Sequence, residues 1–143
     1  TRKESSAASD VYKRQVEYVT TWEEVLQNAL KSQLRHHVMK ENGTERPFTG
    51  EYDKHYENGI YHCADCDSKL FTSDDKFDSG CGWPAFSNEM PSANITQVRD
   101  DSHGMVRIEV RCSNCDSHLG HLFHERTGPR YCINSICLDF KGD

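Results

Sequence analysis

Hydrophobic side chains recur at steps of three and four residues along positions 22–38, with polar side chains between them. This period is that of an amphipathic helix with one apolar face. We expect one helix, or two short helices with a break near Ser32, whose apolar face packs on the core. A partner-binding surface is the alternative. The apolar positions are Trp22, Val25, Leu26, Ala29, Leu30, Leu34 and Val38.

Two flanking features predict the ends of this helical region. Thr21 and Glu24 have the spacing of a capping box, in which a hydroxyl and a carboxylate satisfy free amides of the first turn. Gly43 is a candidate C-terminal cap, because glycine readily takes the left-handed conformation that often ends a helix.

Beyond Gly43 the helical period gives way to a strand pattern. Residues 105–111 alternate apolar and charged side chains, which is typical of a half-buried antiparallel strand. Shorter stretches rich in aromatic and β-branched residues lie between glycines and prolines. These strand candidates are residues 60–62, 70–71, 95–99, 119–123 and 136–140. The pattern therefore predicts a mainly β fold that follows an N-terminal helical segment.

The length of 143 residues indicates one folded domain. Residues 1–18 are polar and mixed in charge, so we interpret them as a flexible extension or an expression remnant that precedes a domain at 19–143. The net charge of −6 argues against nucleic acid as a partner. No apolar run reaches the length of a membrane span, and we expect no membrane partner.

Seven cysteines are many for this length. Their odd number and the lack of a signal segment at the start favour metal binding and catalysis over disulfides. Thiols of that kind imply an intracellular reducing compartment. The cytoplasm is the simplest expectation, and an organelle is the alternative because the sequence begins at Thr1 without its initiator methionine.

Two Cys-x-x-Cys hooks, Cys63–Cys66 and Cys112–Cys115, each have the spacing that directs two thiolates at one ion. Four thiolates complete the tetrahedral sphere of a structural Zn²⁺ ion, one per chain. The stretch between the hooks, residues 67–111, exceeds the roughly 15–20 residues of a compact site, so a sheet must bring them together. A redox dithiol in one hook is the alternative, and the presence of two hooks argues against it.

Three cysteines lie outside the hooks. Cys81 stands between two glycines in an open loop, which suits a thiol that must move but equally an ordinary loop residue. Cys137 alternates with apolar residues and is interpreted as a packed side chain. Cys132 follows Arg130, and a nearby cation lowers the pKa of a thiol. Cys132 is therefore the candidate nucleophile.

His118 and His121 are separated by two residues, one of them a glycine. In a strand or a bulge their rings could approach one pocket; the alternatives are a zinc ligand and an exposed side chain. Asn134 follows Cys132 closely. A thiol, an imidazole and an amide together suit nucleophilic thiol chemistry. The thiolate attacks the substrate, the imidazole transfers a proton and the amide orients the reacting group.

These motifs together resemble a known family, the B-type peptide methionine sulfoxide reductases, over roughly residues 21–140. Besides the two hooks, the resemblance rests on segment 43–52 (GTERPFTGEY), Gly82-Trp83-Pro84, His118-Leu119-Gly120-His121 and Arg130-Tyr131-Cys132-Ile133-Asn134-Ser135. It implies a fold of two antiparallel sheets with short N-terminal helices, held by a structural zinc remote from the chemistry. It also implies reduction of methionine-R-sulfoxide, preferably protein-bound, in the repair of oxidative damage, and we expect a monomer.

The resemblance also implies roles for particular residues. Cys132 matches the catalytic cysteine, and Cys81 the resolving one. Trp83 matches the tryptophan that packs on the methyl group of the substrate. The residues implied around the sulfoxide oxygen are His118, His121 and Asn134.

The expected chemistry begins with attack of the Cys132 thiolate on the sulfoxide sulfur. We favour His121 as the proton donor and His118 as the residue that orients the oxygen. Cys81 then converts the Cys132 sulfenic acid to a disulfide, which a thioredoxin-like dithiol reduces. Arg130 would help to hold the thiolate, so we expect Cys132 to react with thiol probes below the pH that ordinary cysteine needs.

Three alternatives remain open at this point. A zinc-stabilised binding module without catalysis would explain the hooks and the strand pattern. A general disulfide reductase would use one hook as its redox centre. If the chain is a methionine sulfoxide reductase, Cys137 could be a second resolving thiol.

Overall fold

The computed structural model describes residues 22–143. The helix α1 spans Trp22–Glu41, and three short 3-10 turns cover Ser73–Asp75, Ser102–Gly104 and Ser135–Cys137. The strands within the described residues are β1 Gly59–Cys63, β2 Lys69–Thr72, β3 Lys76–Phe77, β4 Ala85–Phe86, β5 Ile95–Asp100, β6 Arg107–Cys112, β7 His118–Glu125, β8 Gly128–Ile133 and β9 Leu138–Gly142. The predictions for residues 1–18 and for the Thr21 cap lie outside this range.

The strands form two antiparallel sheets. The smaller sheet has the order β2-β1-β9, and the larger has the order β3-β4-β8-β7-β6-β5. The predicted mainly β fold of two antiparallel sheets is confirmed, and in the described residues one helix of 20 residues stands where short N-terminal helices were expected. The large sheet places β7 and β8, which carry the histidine pair and Cys132, next to each other at its centre.

Aromatic side chains join the two sheets in the core. Phe71 of β2 stacks on Phe86 of β4 with ring centroids 4.4 Å apart, and Tyr61 of β1 meets Phe86 edge to face. Buried aromatic pairs of this kind contribute about 0.5–1.5 kcal/mol beyond the area that they bury. Phe86 also lies opposite Tyr131 of β8, so this cluster fixes the strand that carries Cys132.

The last turns of the helix belong to the unit that contains the core. The chain divides after Gln33 into two compact units, of which the second runs from Leu34 to Asp143. Val38 and Met39 are buried in this second unit, whereas Trp22 and Leu30 of the first turns are exposed. The expectation that the apolar face packs on the core is confirmed at Val38.

The helix continues through Ser32 without a break, so the alternative of two short helices is wrong. Among residues 22–143, no helix has the length and apolar character needed to span a membrane.

The helix ends in a left-handed cap that differs from the predicted one. Asn42, with φ of +57°, takes the left-handed position, and the Gly43 amide donates to the His37 carbonyl at 3.0 Å. A Cβ at position 43 would lie 2.4 Å from the exposed His37 ring, so a larger residue there would require that ring to move. The predicted cap is thus shifted by one residue towards the helix.

Two strands begin later than their patterns predict. Strand β6 starts at Arg107, which leaves Met105 and Val106 exposed before it. The predicted strand at 136–140 is divided into the 3-10 turn Ser135–Cys137 and β9. Cys137 in that turn is fully buried in the core, which confirms its interpretation as a packed side chain.

Candidate active site and metal site

The register of the large sheet gathers the candidate catalytic residues on one face. His121 of β7 lies opposite Cys132 of β8 and also opposite Glu109 of β6. Phe123 lies opposite Arg130 on the same pair of strands. Directly opposed residues in an antiparallel pair point to the same side of the sheet. The thiol, the imidazole and the guanidinium therefore share one face.

A β-bulge brings the second histidine to this face. The pairing of β6 with β7 runs from Val110 opposite Gly120 to Arg111 opposite His118, so Leu119 is skipped. Such an extra residue re-aims the side chains around it. The two histidine rings lie 5.5 Å apart, centroid to centroid, which agrees with the expected approach of the rings at a bulge.

Gly120 allows β7 to approach β8 closely at this point. A Cβ on Gly120 would lie 2.1 Å from the carbonyl oxygen of Cys132. No other residue fits there without moving the strand that carries the candidate nucleophile.

The thiols of Cys81 and Cys132 lie 3.4 Å apart, sulfur to sulfur. A disulfide bond of about 2.05 Å needs only a small further movement. The Cys81 loop is held by Gly82, which has φ of +94° and whose carbonyl accepts the Phe48 amide at 2.7 Å. The structure thus brings together the two cysteines to which the resemblance gave the nucleophilic and resolving roles.

An open pocket of about 230 Å³ surrounds this thiol pair. It is lined by Thr44, Cys81, Trp83, Arg107, Gly120, His121, Phe123, Arg130, Cys132 and Asn134. All the predicted catalytic and substrate-binding residues except His118 are among these. His118 lines a neighbouring polar cavity of about 270 Å³, to which His121 and Arg107 also contribute.

The acidity of the two thiols is opposite to the sequence-based expectation. Burial raises the pKa of the Cys132 thiol far above its ordinary value, the neighbouring Cys81 adds to this rise, and Arg130 only partly opposes it. Burial also raises the pKa of Cys81, but hydrogen bonds with Ser79 and the Trp83 backbone outweigh it, so its pKa is lowered. In the resting pocket these two directions run against the expectation of an acidic Cys132 and favour ionisation of Cys81.

Burial keeps the His118 ring neutral, and a buried carboxylate orients it. Its Nδ1 lies 2.6 Å from Oε2 of Glu109, whose other oxygen is 3.1 Å from Nε of Arg111. Burial lowers the pKa of His118, against the opposing effect of Glu109. The neutral ring donates from Nδ1, and its buried Nε2 has no hydrogen-bond partner among the described residues. That nitrogen is left to accept a hydrogen bond.

His121 has a different acidic partner. Its Nε2 lies 2.8 Å from Oδ2 of Asp100, and Nη2 of Arg107 is 3.4 Å from the same oxygen. Hydrogen bonds from Ser102 and then from His121 hold the pKa of Asp100 well below its usual range. Because an ionised carboxylate only accepts hydrogen bonds, His121 donates to it. This contact fixes the orientation of the ring.

Glu45 is a buried residue that holds two candidate site residues through its backbone. Its amide donates to Oδ1 of Asn134 at 3.0 Å, and its carbonyl accepts from Nε1 of Trp83 at 3.0 Å. Its carboxylate accepts the Ile136 amide at 2.8 Å. Nδ2 of Asn134 donates to the Leu119 carbonyl at 3.0 Å, and its second hydrogen is the group that it can offer to the pocket.

Sequence reasoning missed Asp100, Glu109 and Glu45. The alternation of residues 105–111 places Glu109 on the polar face of a strand. It does not predict that this strand pairs with the one that carries His118. Their roles depend on pairing partners 9 to 91 positions away along the chain.

The four hook cysteines meet as predicted. Their sulfurs all lie within 4.8 Å of one another, with Cys63 3.7 Å from Cys115 and Cys66 3.5 Å from Cys112. A tetrahedron with metal–sulfur bonds of about 2.3 Å has edges of about 3.8 Å. The spacing of the sulfurs therefore fits a single four-coordinate ion.

The two hooks have the same backbone geometry. Each first cysteine ends a strand, β1 at Cys63 and β6 at Cys112, and its carbonyl accepts an amide four residues later, from Asp67 at 2.8 Å and from Asp116 at 2.7 Å. Both aspartates have positive φ, which turns the chain back towards the sulfurs. The metal site thereby connects the two sheets.

Side chains around the hooks hold the cluster in place. The hydroxyls of Ser68 and Ser117 lie 3.1 and 3.2 Å from the sulfurs of Cys66 and Cys115. Nζ of Lys40 contacts both Asp65, at 2.7 Å, and Ser117, at 2.8 Å. A cation beside four thiolates favours their charged, metal-binding form.

The chain is similar to known proteins along most of its length. The family model described as SelR domain matches residues 31–142. The chain is 51% identical over 116 residues to the peptide methionine sulfoxide reductase MsrB of Pseudomonas entomophila, a match that covers 79% of this chain and 88% of the relative. It is 56% identical over 108 residues to the MsrB of Pseudomonas syringae, covering 73% and 82% of the two chains.

A relative from an animal gives the same result. The probable methionine-R-sulfoxide reductase B of Caenorhabditis elegans is 51% identical over 127 residues, which cover 85% of this chain and 80% of the relative. Together with the thiol pair, the bulged histidines and the four-cysteine cluster, these matches show that the chain belongs to the SelR-domain family of B-type peptide methionine sulfoxide reductases.

Proposed function

We propose that this chain is an enzyme that reduces methionine-R-sulfoxide, preferably within proteins, to methionine, and that a thioredoxin-like dithiol recycles it. The family and the names of its relatives support the reaction. The observation that carries the mechanism is the Cys81–Cys132 pair, 3.4 Å apart in a pocket that also holds Trp83 and His121. The proposed role is repair of proteins after oxidative damage.

In the first step, the sulfur of Cys132 attacks the sulfoxide sulfur. A bond forms between the two sulfurs, the sulfoxide oxygen takes up the proton that the thiol loses, and the oxygen passes to Cys132 as methionine leaves. The products are methionine and the sulfenic acid of Cys132, so atoms and charges balance. His121, opposite Cys132 in the sheet, moves the proton in this step.

The neutral His118 and Asn134 position the oxygen. Nε2 of His118 accepts a hydrogen bond from a protonated oxygen or from a water molecule that contacts it, and the free Nδ2 hydrogen of Asn134 donates to the oxygen. The Trp83 ring, held by Glu45, packs on the methyl group of the substrate. These contacts select one epimer, because the oxygen and the methyl group must occupy different sides of the pocket.

In the second step, Cys81 closes the cycle. Its thiolate attacks the sulfenic sulfur of Cys132, the hydroxyl group leaves as water with the proton that Cys81 gave up, and a disulfide forms. Hydrogen bonds with Ser79 and the Trp83 backbone make Cys81 the more readily ionised thiol, which suits this attacking role. A thioredoxin-like dithiol then reduces the disulfide by exchange, and Arg130 stabilises the departing thiolate of Cys132.

We propose that the four-cysteine cluster binds one structural Zn²⁺ ion. Four thiolate ligands at tetrahedral spacing, which leave no open coordination position, support this metal. The catalytic domain is assigned to residues 19–143, and we expect a monomer in a reducing compartment. A zinc-stabilised binding module without catalysis is the second candidate, and it gives no account of the paired thiols in a shared pocket.

Turnover of the separate R and S epimers of a methionine sulfoxide peptide tests the proposal, with dithiothreitol as reductant. We expect reduction of the R epimer alone, with loss of all turnover in Cys132→Ser. Exposed Ser113→Ala, close to the metal but outside the pocket, is the matched control and keeps wild-type turnover. Folded, metal-loaded protein that reduces neither epimer would support the binding module instead.

A further inference from the structure

A polar cavity of about 270 Å³ adjoins the pocket of Cys132. Thr44, Arg107 and His121 line both the cavity and the pocket. Arg107 stands two positions before Glu109 on β6, and Glu109 lies opposite His121, so Arg107 is on the face of the large sheet that carries Cys132. The cavity and the pocket therefore adjoin on one side of the sheet.

Two buried nitrogens that line this cavity have no hydrogen-bond partner among the described residues. One is Nε2 of His118, a residue only 2% exposed, and the other is Nε of Arg107. Nδ1 of His118 is bound to Glu109, so Nε2 is an acceptor, whereas Nε of Arg107 always carries a hydrogen and is a donor. Buried polar groups are rarely left without a partner, so a ligand that satisfies both nitrogens is favoured.

The charges around the cavity indicate which kind of ligand fits. Its two carboxylates already have partners: Asp100 contacts His121 at 2.8 Å and Arg107 at 3.4 Å, and Glu109 contacts His118 at 2.6 Å. These carboxylates would repel an anion, and neither is left to bind a cation. A small neutral ligand that both accepts and donates hydrogen bonds fits best. Water is the simplest such ligand, and the cavity far exceeds the roughly 10–15 Å³ that one water molecule needs.

We infer that Arg107 and His118 hold a water molecule in this cavity, and that this water gives the sulfenic oxygen of Cys132 its proton when the disulfide forms. The water accepts the Nε hydrogen of Arg107 and donates one of its own hydrogens to Nε2 of His118. Its second hydrogen is left to donate towards the pocket. The inference rests on the proposed function and adds the proton source of its second step, in which Arg107 is a positioning residue.

The second step needs a proton from solvent. The proton of Cys81 has passed to solvent by the time its thiolate attacks the Cys132 sulfur, and the sulfur–oxygen bond breaks with its electron pair on oxygen. The bound water protonates that oxygen, which leaves as water, and the disulfide forms. The Arg107 cation stabilises the hydroxide that remains, until it takes a proton from solvent at the exposed rim of the cavity, formed by Ser102 and His103.

A crystal structure of the reduced wild-type protein tests the site directly. We expect electron density for an ordered water molecule within hydrogen-bonding distance of both Nε of Arg107 and Nε2 of His118. The same water should be lost in Arg107→Met. A well-ordered wild-type cavity without this water would overturn the inference, and that result does not depend on the folding of any variant.

A single turnover without reductant tests the role of the water. One equivalent of a methionine-R-sulfoxide peptide is mixed with the reduced enzyme. Quenched samples are assayed for methionine, for the Cys81–Cys132 disulfide and for sulfenic acid trapped by dimedone. In Arg107→Met we expect methionine at close to the wild-type rate, and a disulfide that forms about a hundredfold more slowly, because general acid catalysis contributes roughly 10²–10⁴-fold. The sulfenic acid should therefore accumulate.

Asp100 and His121 should keep their contact in this variant. The amide and the hydroxyl of Ser102 donate to Oδ1 of Asp100 at 3.0 and 2.6 Å, and these bonds do not involve Arg107. Arg107→Lys keeps a cation that can donate to the water and should recover part of the rate. Arg99→Met is the matched control: Arg99 is exposed on β5, lines neither the cavity nor the pocket, and both steps should keep their wild-type rates.

The two rates decide the inference. Equal slowing of both steps in Arg107→Met would show that Arg107 acts through His121 or through the fold, and would overturn it. Disulfide formation at the wild-type rate in that variant would overturn it as well, because the water would not be the proton source. Failure of the proposed function itself is distinct, since then the wild-type enzyme would form no methionine.

Discussion

The sulfur of Cys81 lies 3.4 Å from the sulfur of Cys132, and both thiols line the same pocket. A second negative charge at this distance is costly, so ionisation of one thiol disfavours ionisation of the other. Burial raises the pKa of Cys132, whereas hydrogen bonds outweigh burial at Cys81, so the pocket favours the negative charge on Cys81.

We expect iodoacetamide to label Cys81 before Cys132 at pH 7, as mapped by mass spectrometry of the alkylated peptides. Cys81→Ser removes the neighbouring sulfur, lowers the pKa of Cys132 and moves its labelling profile to lower pH. Cys137→Ser is the matched control and should leave the profile unchanged. Faster labelling of Cys132 than of Cys81 in the wild-type protein would contradict this ordering of the thiols.

Cys81→Ser should also separate the first step from recycling. The variant should form about one methionine per active site and then stop when thioredoxin is the reductant, because the sulfenic acid has no resolving thiol. Rapid-quench measurement of methionine formation checks this. Full thioredoxin-driven turnover would mean that another thiol resolves the intermediate, and the double variant with Cys137→Ser would then identify it.

Asp100→Asn should lower kcat by about a hundredfold, because His121 loses the carboxylate that fixes its ring for proton transfer. The melting temperature should fall modestly, because the lowered pKa of Asp100 shows that its carboxylate stabilises the fold, and the metal content should be that of the wild type. Asp101→Asn is a close control, since Asp101 is exposed and its side chain makes no capping hydrogen bond. A variant with unchanged kcat and an unchanged pH–rate profile would show that the contact has no role in the chemistry.

Glu45→Ala should raise the KM for the peptide and reduce stability by about 1–3 kcal/mol. The buried amide of Ile136 loses its acceptor, and the segment that holds Asn134 and Trp83 loosens. Trp83 fluorescence and urea unfolding report the two effects. Glu45→Gln keeps an acceptor and should restore most of the KM, and exposed Arg46→Ala serves as the control.

Glu45 also makes the free energy of unfolding depend on pH. Burial raises the pKa of Glu45 in the folded protein, so the folded state favours the protonated carboxyl. The contribution of this group to stability is present below the ordinary carboxyl pKa of about 4.3 and is lost as pH rises through the raised value. A glutamine at this position cannot ionise, so the Glu45→Gln variant should not lose this stability. Its free energy of urea unfolding, compared with that of the wild type, should therefore increase between pH 4 and 7.

Removal of the metal should unfold the domain. Structural zinc contributes on the order of 10 kcal/mol to small domains, and here the ion would connect the two sheets. We expect loss of far-UV circular dichroism when a strong chelator has extracted one equivalent of metal, and recovery when Zn²⁺ is added back. An extracted protein with the original spectrum and melting temperature would contradict this account.

Local patterns predict the parts of the site that depend on neighbours in the sequence. The spacing of Cys63 and Cys66 predicts the hook, and the spacing of His118 and His121 predicts that the two rings approach each other at a bulge. The strand pattern likewise locates most of the elements. These features need only the turn or strand in which the residues lie.

The remaining features depend on contacts between distant parts of the chain. Burial and the nearby Cys81 thiol raise the pKa of Cys132, and only the fold brings Cys81 beside it. Arg130, two residues before Cys132 in the sequence, lowers this pKa but does not outweigh them. The partners of the two histidines, Asp100 and Glu109, follow from strand register.

The two metal hooks each end a strand in a different sheet, at Cys63 and at Cys112. An ion held by both hooks closes residues 67–111 into a loop even in the unfolded chain. Without the ion, the unfolded chain must lose the entropy of closing this loop before its distant strands can pair. A chain that keeps its ion has already closed the loop when refolding begins. The metal site would therefore act on the rate at which the enzyme is regained after unfolding as well as on its stability.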